Sequence, residues 1–166
     1  MKKALILVLM FVMGLGLMTM AGPLIGIQVA PAINSAAALT VGWDFGSAVI
    51  EGSKTNFNTW YGEWTIAGLW TPADQTFSYR LGPKLIWDWY GARTKVGSTW
   101  YEAGQLVYRD LAIVIGVSTT WGPLQVFGEL DIGSTGALNI KPLLGLNILF
   151  DGFFPQPVEN EPLNLA

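Results

Sequence analysis

Histidine and cysteine are both missing from this chain. Their absence excludes Ser-His-Asp and Cys-His nucleophilic arrangements and the common zinc sites. An exported domain without cysteine must also hold itself together by burial or sheet closure rather than by disulfides. Basic residues are scarce: without Lys2 and Lys3, seven remain against twelve acidic ones, about −5 overall, with no basic patch to meet a phosphate backbone. Nucleic acid is therefore not an expected partner. Long apolar runs are also missing beyond the N-terminus. The longest, Leu111 to Val117, is strand-sized, well short of the roughly 18 residues a helical span needs. No cofactor or metal is expected.

What is present begins with an export pattern. Met1-Lys2-Lys3 is a short basic stretch, Ala4 to Met20 is almost unbroken apolar sequence, and Thr19-Met20-Ala21 is a small-x-small cleavage motif. Residues 1–21 read as a signal peptide, with the mature chain starting at Gly22. The other reading is an uncleaved anchor helix at the lower length limit for a span. Residues 22–150 read as a barrel domain. Residues 151–166 are acidic, Pro-rich and non-periodic, which reads as a disordered or extended tail.

Between signal and tail, eight strand-like segments are expected at 24–33, 37–46, 57–70, 76–90, 96–108, 111–120, 123–132 and 137–150. The separators include Glu51-Gly52-Ser53-Lys54, Thr71-Pro72-Ala73-Asp74, Arg109-Asp110, Trp121-Gly122-Pro123 and Gly133-Ser134-Thr135-Gly136, all hairpin chemistry. Period two is strongest in the fourth segment. There Phe77, Tyr79, Leu81, Pro83, Leu85, Trp87 and Trp89 alternate with Ser78, Arg80, Gly82, Lys84, Ile86 and Asp88. The last segment repeats it with Leu138, Ile140, Pro142, Leu144, Leu146, Ile148 and Phe150 on the apolar face. Pro83 and Pro142 predict bulges or ladder breaks.

The bulky apolar groups share one face, and small residues and charges share the other. A soluble fold would pack the large groups together inside, whereas a membrane barrel turns them outward around a small polar lumen. The fold class is therefore all-β, an antiparallel up-and-down barrel of about eight strands. Its expected lumen network is Asp44, Glu63, Arg80, Lys84, Asp88, Glu102, Glu129, Asp131 and Lys141. Hairpin folding pairs Glu63 with Lys84 and Trp70 with Phe77, and also Glu129 with Lys141 and Asp131 with Asn139. Glu102 falls on the wrong face unless a bulge near Ala103-Gly104 flips the strand. The carboxylates Asp44, Glu63, Asp88, Glu102, Glu129 and Asp131 could serve a two-carboxylate hydrolase, but no cleft-forming loops accompany them, and a neutralised lumen is the simpler reading. Gly42, Gly46, Gly82, Gly116 and Gly145 mark either a small cavity or strand bends.

Eight tryptophans in so short a chain point to interface aromatics. Counting strand directions puts Trp43, Phe45, Trp60, Trp87, Trp89, Trp100, Trp121 and Phe150 at the rim nearest the N-terminus, and Trp70, Phe77, Tyr79 and Tyr108 at the other.

Across residues 24 to 150 the pattern resembles small outer-membrane barrels of Gram-negative bacteria, in strand pattern and without a family motif. The resemblance implies outer-membrane localisation, a lipid bilayer and a barrel-assembly machinery as partners, and Phe150 as the terminal aromatic. An eight-stranded lumen is filled by side chains or holds one small ligand, so no solute pore is expected. The leading function is structural, in envelope integrity or anchoring, without turnover. Alternatives are a secreted β-rich subunit of an extracellular filament or surface layer, with Leu24 to Ile33 complementing a neighbour's sheet, and a lipocalin-like ligand-binding barrel.

Overall fold

The computed structural model describes residues 22–30, 37–55, 61–72, 77–133 and 139–150; the expected signal peptide, the expected tail and Trp60 lie outside them. The described residues form β1 (Gly22–Val29), β2 (Ala37–Asp44), β3 (Ala48–Thr55), β4 (Tyr61–Trp70), β5 (Phe77–Tyr90), β6 (Thr94–Val96), β7 (Thr99–Tyr101), β8 (Gln105–Trp121), β9 (Leu124–Gly133) and β10 (Asn139–Leu149). Eight of these close an antiparallel barrel in the order β1-β10-β9-β8-β5-β4-β3-β2, and β6 pairs with β7 as a separate hairpin. Leu24 opposite Leu149 joins the first strand to the last.

Following paired residues around the wall runs from Leu24 through Gly42, Glu51, Ala67, Lys84, Ala112 and Gly133 to Asn139. The β10–β1 register then returns to β1 about ten residues beyond the start. For eight strands, a stagger of that size tilts them about 40° from the axis. We call the rim where β1 starts and β10 ends the near rim, and the opposite one the far rim.

Two segment assignments from the sequence are corrected. The expected separator Glu51-Gly52-Ser53-Lys54 lies inside β3, and the β2–β3 turn falls earlier, where Asp44 Oδ1 accepts the Gly46 N–H at 2.7 Å and Phe45 N–H reaches the Ala48 carbonyl. Gly46, at φ +84°, supplies the positive φ that this turn requires. The expected turn at Arg109-Asp110 is instead the middle of the 17-residue β8. There the β5 register jumps, Ile86 facing Asp110 and Trp87 facing Tyr108, so Arg109 is the extra residue of a bulge. The predicted bulge at Ala103-Gly104 gives way to this one, and the expected fifth segment, 96–108, divides between the 91–104 connection, which holds the β6–β7 hairpin, and the start of β8.

The registers differ as well. Glu63 stands opposite Asp88, Lys84 opposite Ala67, and Trp70 opposite Leu81. On β10, Lys141 stands opposite Asp131, Leu143 opposite Glu129, and Asn139 opposite Gly133. Pro83 does interrupt a ladder: the β4–β5 pairs stop at Lys84 and resume at Leu81. Pro142 keeps its place opposite Leu130, on a part of β10 past the last residue paired with β1.

Alternation sets the two faces. Ile25, Ile27, Leu39, Val41, Ile66, Leu81, Ile113, Ile115, Val126, Leu130, Leu144 and Leu146 point outward and are exposed, while Thr40, Ser53, Thr65, Arg80, Lys84, Gln125, Glu129, Asp131 and Asn147 are buried inside. The lumen also holds apolar side chains. Leu24, Val49 and Leu149 cluster toward the near rim, and Ala67, Leu69 and Val114 form a second cluster.

Candidate functional site: the lumen charge network

Arg80 and Lys84, two pleat repeats apart on β5, project inward because both fall on the even, lumen-facing positions of a period-two strand. Arg80 is fully buried, at 0% exposure. Its Nη2 reaches Glu51 Oε1 at 2.7 Å and its Nε reaches Glu129 Oε2 at 3.2 Å. Lys84 Nζ donates to Glu129 Oε1 at 2.6 Å and to Asp131 Oδ1 at 2.8 Å. Glu129 thus joins both cations, and the chain Glu51, Arg80, Glu129, Lys84, Asp131 crosses the lumen from β3 to β9. Gln125 and Asn147 extend it, the Asn147 amide donating to Gln125 Oε1 at 3.0 Å. The face of the Phe127 ring lies 4.1 Å from the Arg80 guanidinium.

A second cluster sits toward the far rim. Glu63 accepts from Lys141 Nζ at 2.8 Å and from Arg109 Nη2. Arg109 Nη1 reaches Asp88 Oδ1 at 2.8 Å, and the Tyr61 hydroxyl donates to the same oxygen at 2.7 Å. The bulge explains this cluster. An unbroken alternation would turn either Arg109 or Asp110 outward, whereas the extra residue lets Arg109 reach Glu63 while Asp110 stays buried.

Ions taken out of water are tolerable only when paired and hydrogen-bonded, and the two clusters meet that condition with long side chains that reach across the barrel. A cavity of about 10 Å³ lies between them, lined by Gln28, Thr55, Glu63, Lys84, Asp131 and Lys141 among others, room for a single water. The glycines Gly42, Gly82, Gly116 and Gly145 do not open a further space. A Cβ at any of them would collide with neighbouring atoms, at Gly145 with the Phe127 ring. Among the described residues no group of carboxylates is placed to hold a metal ion.

Of the residues named from sequence, Arg80, Lys84, Glu129 and Asp131 share one cluster, and Glu63, Asp88 and Lys141 the other. Two do not belong. Glu102 lies outside the lumen in the 91–104 connection, exposed beside Arg93 Nε at 3.4 Å, and Asp44 closes the β2–β3 turn. The Glu63–Lys84 and Glu129–Lys141 pairs are replaced by Glu63–Lys141 and Glu129–Lys84. Glu51, Arg109, Tyr61, Gln125, Phe127 and Asn147 were not anticipated. Glu51 and Arg109 sit in stretches that read as turns, and both are charged residues flanked by strand-like sequence.

Missing β3 reverses the directions counted after it until the false break at Arg109-Asp110 within β8 restores them, so Tyr108, Trp121 and Phe150 keep their expected rims. Trp70, Phe77 and Tyr79 accordingly lie at the near rim, with Trp43, Phe45, Trp121 and Phe150. Trp87, Trp89 and Trp100 lie at the far rim, with Tyr108. At the far rim Lys54, Trp64, Trp87 and Tyr108 face one another in turn across β3, β4, β5 and β8. The Trp87 and Tyr108 rings meet edge to face at 6.2 Å, and Lys54 Nζ lies 5.0 Å from the Trp64 ring and 4.5 Å from that of Trp89. No protein-family model matches the chain, and no curated protein or solved structure matches it.

Proposed function

We propose that this chain is a structural barrel of an outer membrane, embedded in the bilayer with the help of a barrel-assembly machinery and contributing to envelope integrity or anchoring without turnover or solute conduction. One observation carries the reading: the exposed wall is apolar on seven of the eight barrel strands, β3 alone turning Ile50, Gly52 and Lys54 outward, while the charges of Glu51, Arg80, Lys84, Asp110, Glu129 and Asp131 are buried inside. Water offers no reason to arrange a barrel that way, since exposing this much contiguous apolar surface is unfavourable for a monomer. Hydrocarbon does. The dimensions agree. Ten residue steps separate outward-facing Phe77 from Trp87 on β5, about 25 Å of height at a rise of ~3.4 Å per residue and a ~40° tilt. Membrane barrels carry an apolar band of about that height between aromatic girdles.

The interior supports the absence of a pore, because Arg80, Lys84, Phe127, Leu24 and Leu69 fill it. It also leaves no room for a lipocalin-like ligand. The filament reading gains nothing from β1, which is hydrogen-bonded on both edges, to β2 and to β10.

Refolding tests the reading. The full chain should fold in detergent micelles or lipid vesicles and migrate differently on a denaturing gel before and after boiling. It should also stay with outer membranes through a carbonate wash. Cooperative folding in plain buffer, with no amphiphile present, would sink the membrane reading.

A further inference from the structure

The wall's exterior cations are distributed unevenly. Arg80, Lys84, Arg109 and Lys141 point inward, and the three other described basic residues, Lys54, Arg93 and Lys95, all lie at the far rim. Each is stacked on tryptophan: Lys54 on Trp64 and Trp89, Arg93 at 4.8 Å from the Trp100 ring, and Lys95 at 5.8 Å from the same ring. The two groups are neighbours in the chain, since Trp89 packs over the backbone of Gly91, where a Cβ would come within 2.7 Å of the indole. Glu102 is the single acidic side chain described on this strip.

We propose that this strip of Lys54, Trp64, Trp89, Arg93, Lys95 and Trp100 seats the phosphates of anionic lipid headgroups at the far rim. The inference rests on the membrane reading above. Its chemistry is that of an interface: indoles settle at headgroup depth, and a cation held against an indole is kept at that same depth, where Arg93, paired with Glu102, is joined by Lys54 and Lys95. The strip's net positive charge complements a lipid surface that is negative. Near such a surface each Lys or Arg favours binding by about 1 kcal/mol, roughly a fivefold preference.

The test uses the full chain refolded into vesicles of phosphatidylcholine alone or with about a third phosphatidylglycerol, the ratio being chosen to give a clearly negative surface. Spin-labelled phosphatidylglycerol and phosphatidylcholine report the relative association of each lipid with the barrel. The expected result is a several-fold preference for the anionic lipid that weakens with sodium chloride. It should fall to parity in the triple variant K54Q/R93Q/K95Q and persist in the charge-keeping variant K54R/R93K/K95R. Equal association of both lipids with the inserted wild-type barrel overturns this inference and leaves the membrane reading standing. Failure to insert into either vesicle overturns both. A preference that inorganic phosphate abolishes at matched ionic strength, or that survives the triple variant, also refutes the lipid assignment. So does retention of polyglutamate by the detergent-folded barrel without any lipid preference, which would point to an acidic protein partner.

Discussion

Phe127 lies directly opposite Gly145 across the β9–β10 ladder, and its ring occupies the space a side chain at 145 would need while its face meets the Arg80 guanidinium. The bare backbone of one strand thus sets the position of the central cation of the network.

Substituting Gly145→Val should therefore push the ring out of register with Arg80. Overpacking of a filled interior costs about 1–3 kcal/mol, with the lost cation–π contact adding to it. The urea midpoint of the folded barrel, followed by tryptophan emission, should fall accordingly. An unchanged midpoint would mean that Phe127 has room to move and does not hold Arg80.

Lys84 is bound by Glu129 and Asp131, while Glu63 is bound by Arg109 and Lys141. Removing one partner of a buried pair typically costs about 3–5 kcal/mol, and Lys84→Met should fall in that range. Adding Asp131→Asn should recover part of the loss, because the stranded carboxylate is then neutral. The cycle of Lys84→Met with Glu63→Gln should be close to additive. Strong coupling in that second cycle, and none in the first, would contradict the network described.

Much of this was legible in the sequence. The all-β class, the closed barrel and the apolar outer face followed from period two in β5 and β10. The expected count of eight also agreed, but through two errors that cancel. β3 presents only Ile50, Gly52 and Lys54 outward, so it lacks the greasy stripe that betrays its neighbours, and its inward Glu51 and Ser53 look turn-like because the lumen is polar. The charged pair Arg109-Asp110 looked like a break, since a regular strand cannot hide both. A bulge can. Partners were mispredicted for a related reason: hairpin reasoning pairs residues along adjacent strands, whereas Arg80 reaches Glu51 two strands away and Lys141 reaches Glu63 across the lumen.

The bulge itself makes a prediction. Tyr108 already faces outward and Asp110 inward, so deleting Arg109 restores plain alternation without turning either half of β8. The deletion should cost no more than Arg109→Ala, both losing the pairs to Glu63 and Asp88. Inserting one residue after Val114 should instead reverse one half of the strand and abolish the heat-dependent gel shift. A deletion as damaging as that insertion would mean that the bulge is needed for more than its charge.

Depth rather than packing should govern the outer wall. Leu144, at mid-strand and exposed, should lose about 2–4 kcal/mol on change to Arg, while Leu124→Arg beside the near-rim turn should lose about 0–1 kcal/mol. Leu144→Ala should be milder than the 2–5 kcal/mol typical of a protein core, because in the proposed bilayer acyl chains would fill the gap. Refolding equilibria in vesicles separate these cases, and a severe Leu144→Ala would point to a protein neighbour on that face.

The pairing of β1 with β10 ties folding to the arrival of the whole chain. Contacts such as Leu24 with Leu149 span almost the whole described barrel, and loop closure over that distance is slow. A chain emerging from its N-terminus can zip up hairpins in order, yet β1 keeps an unsatisfied edge until the last strand is delivered. Loss of β10 would leave two raw edges in place of a weaker barrel, so in the proposed bilayer no partially assembled form would suit the hydrocarbon.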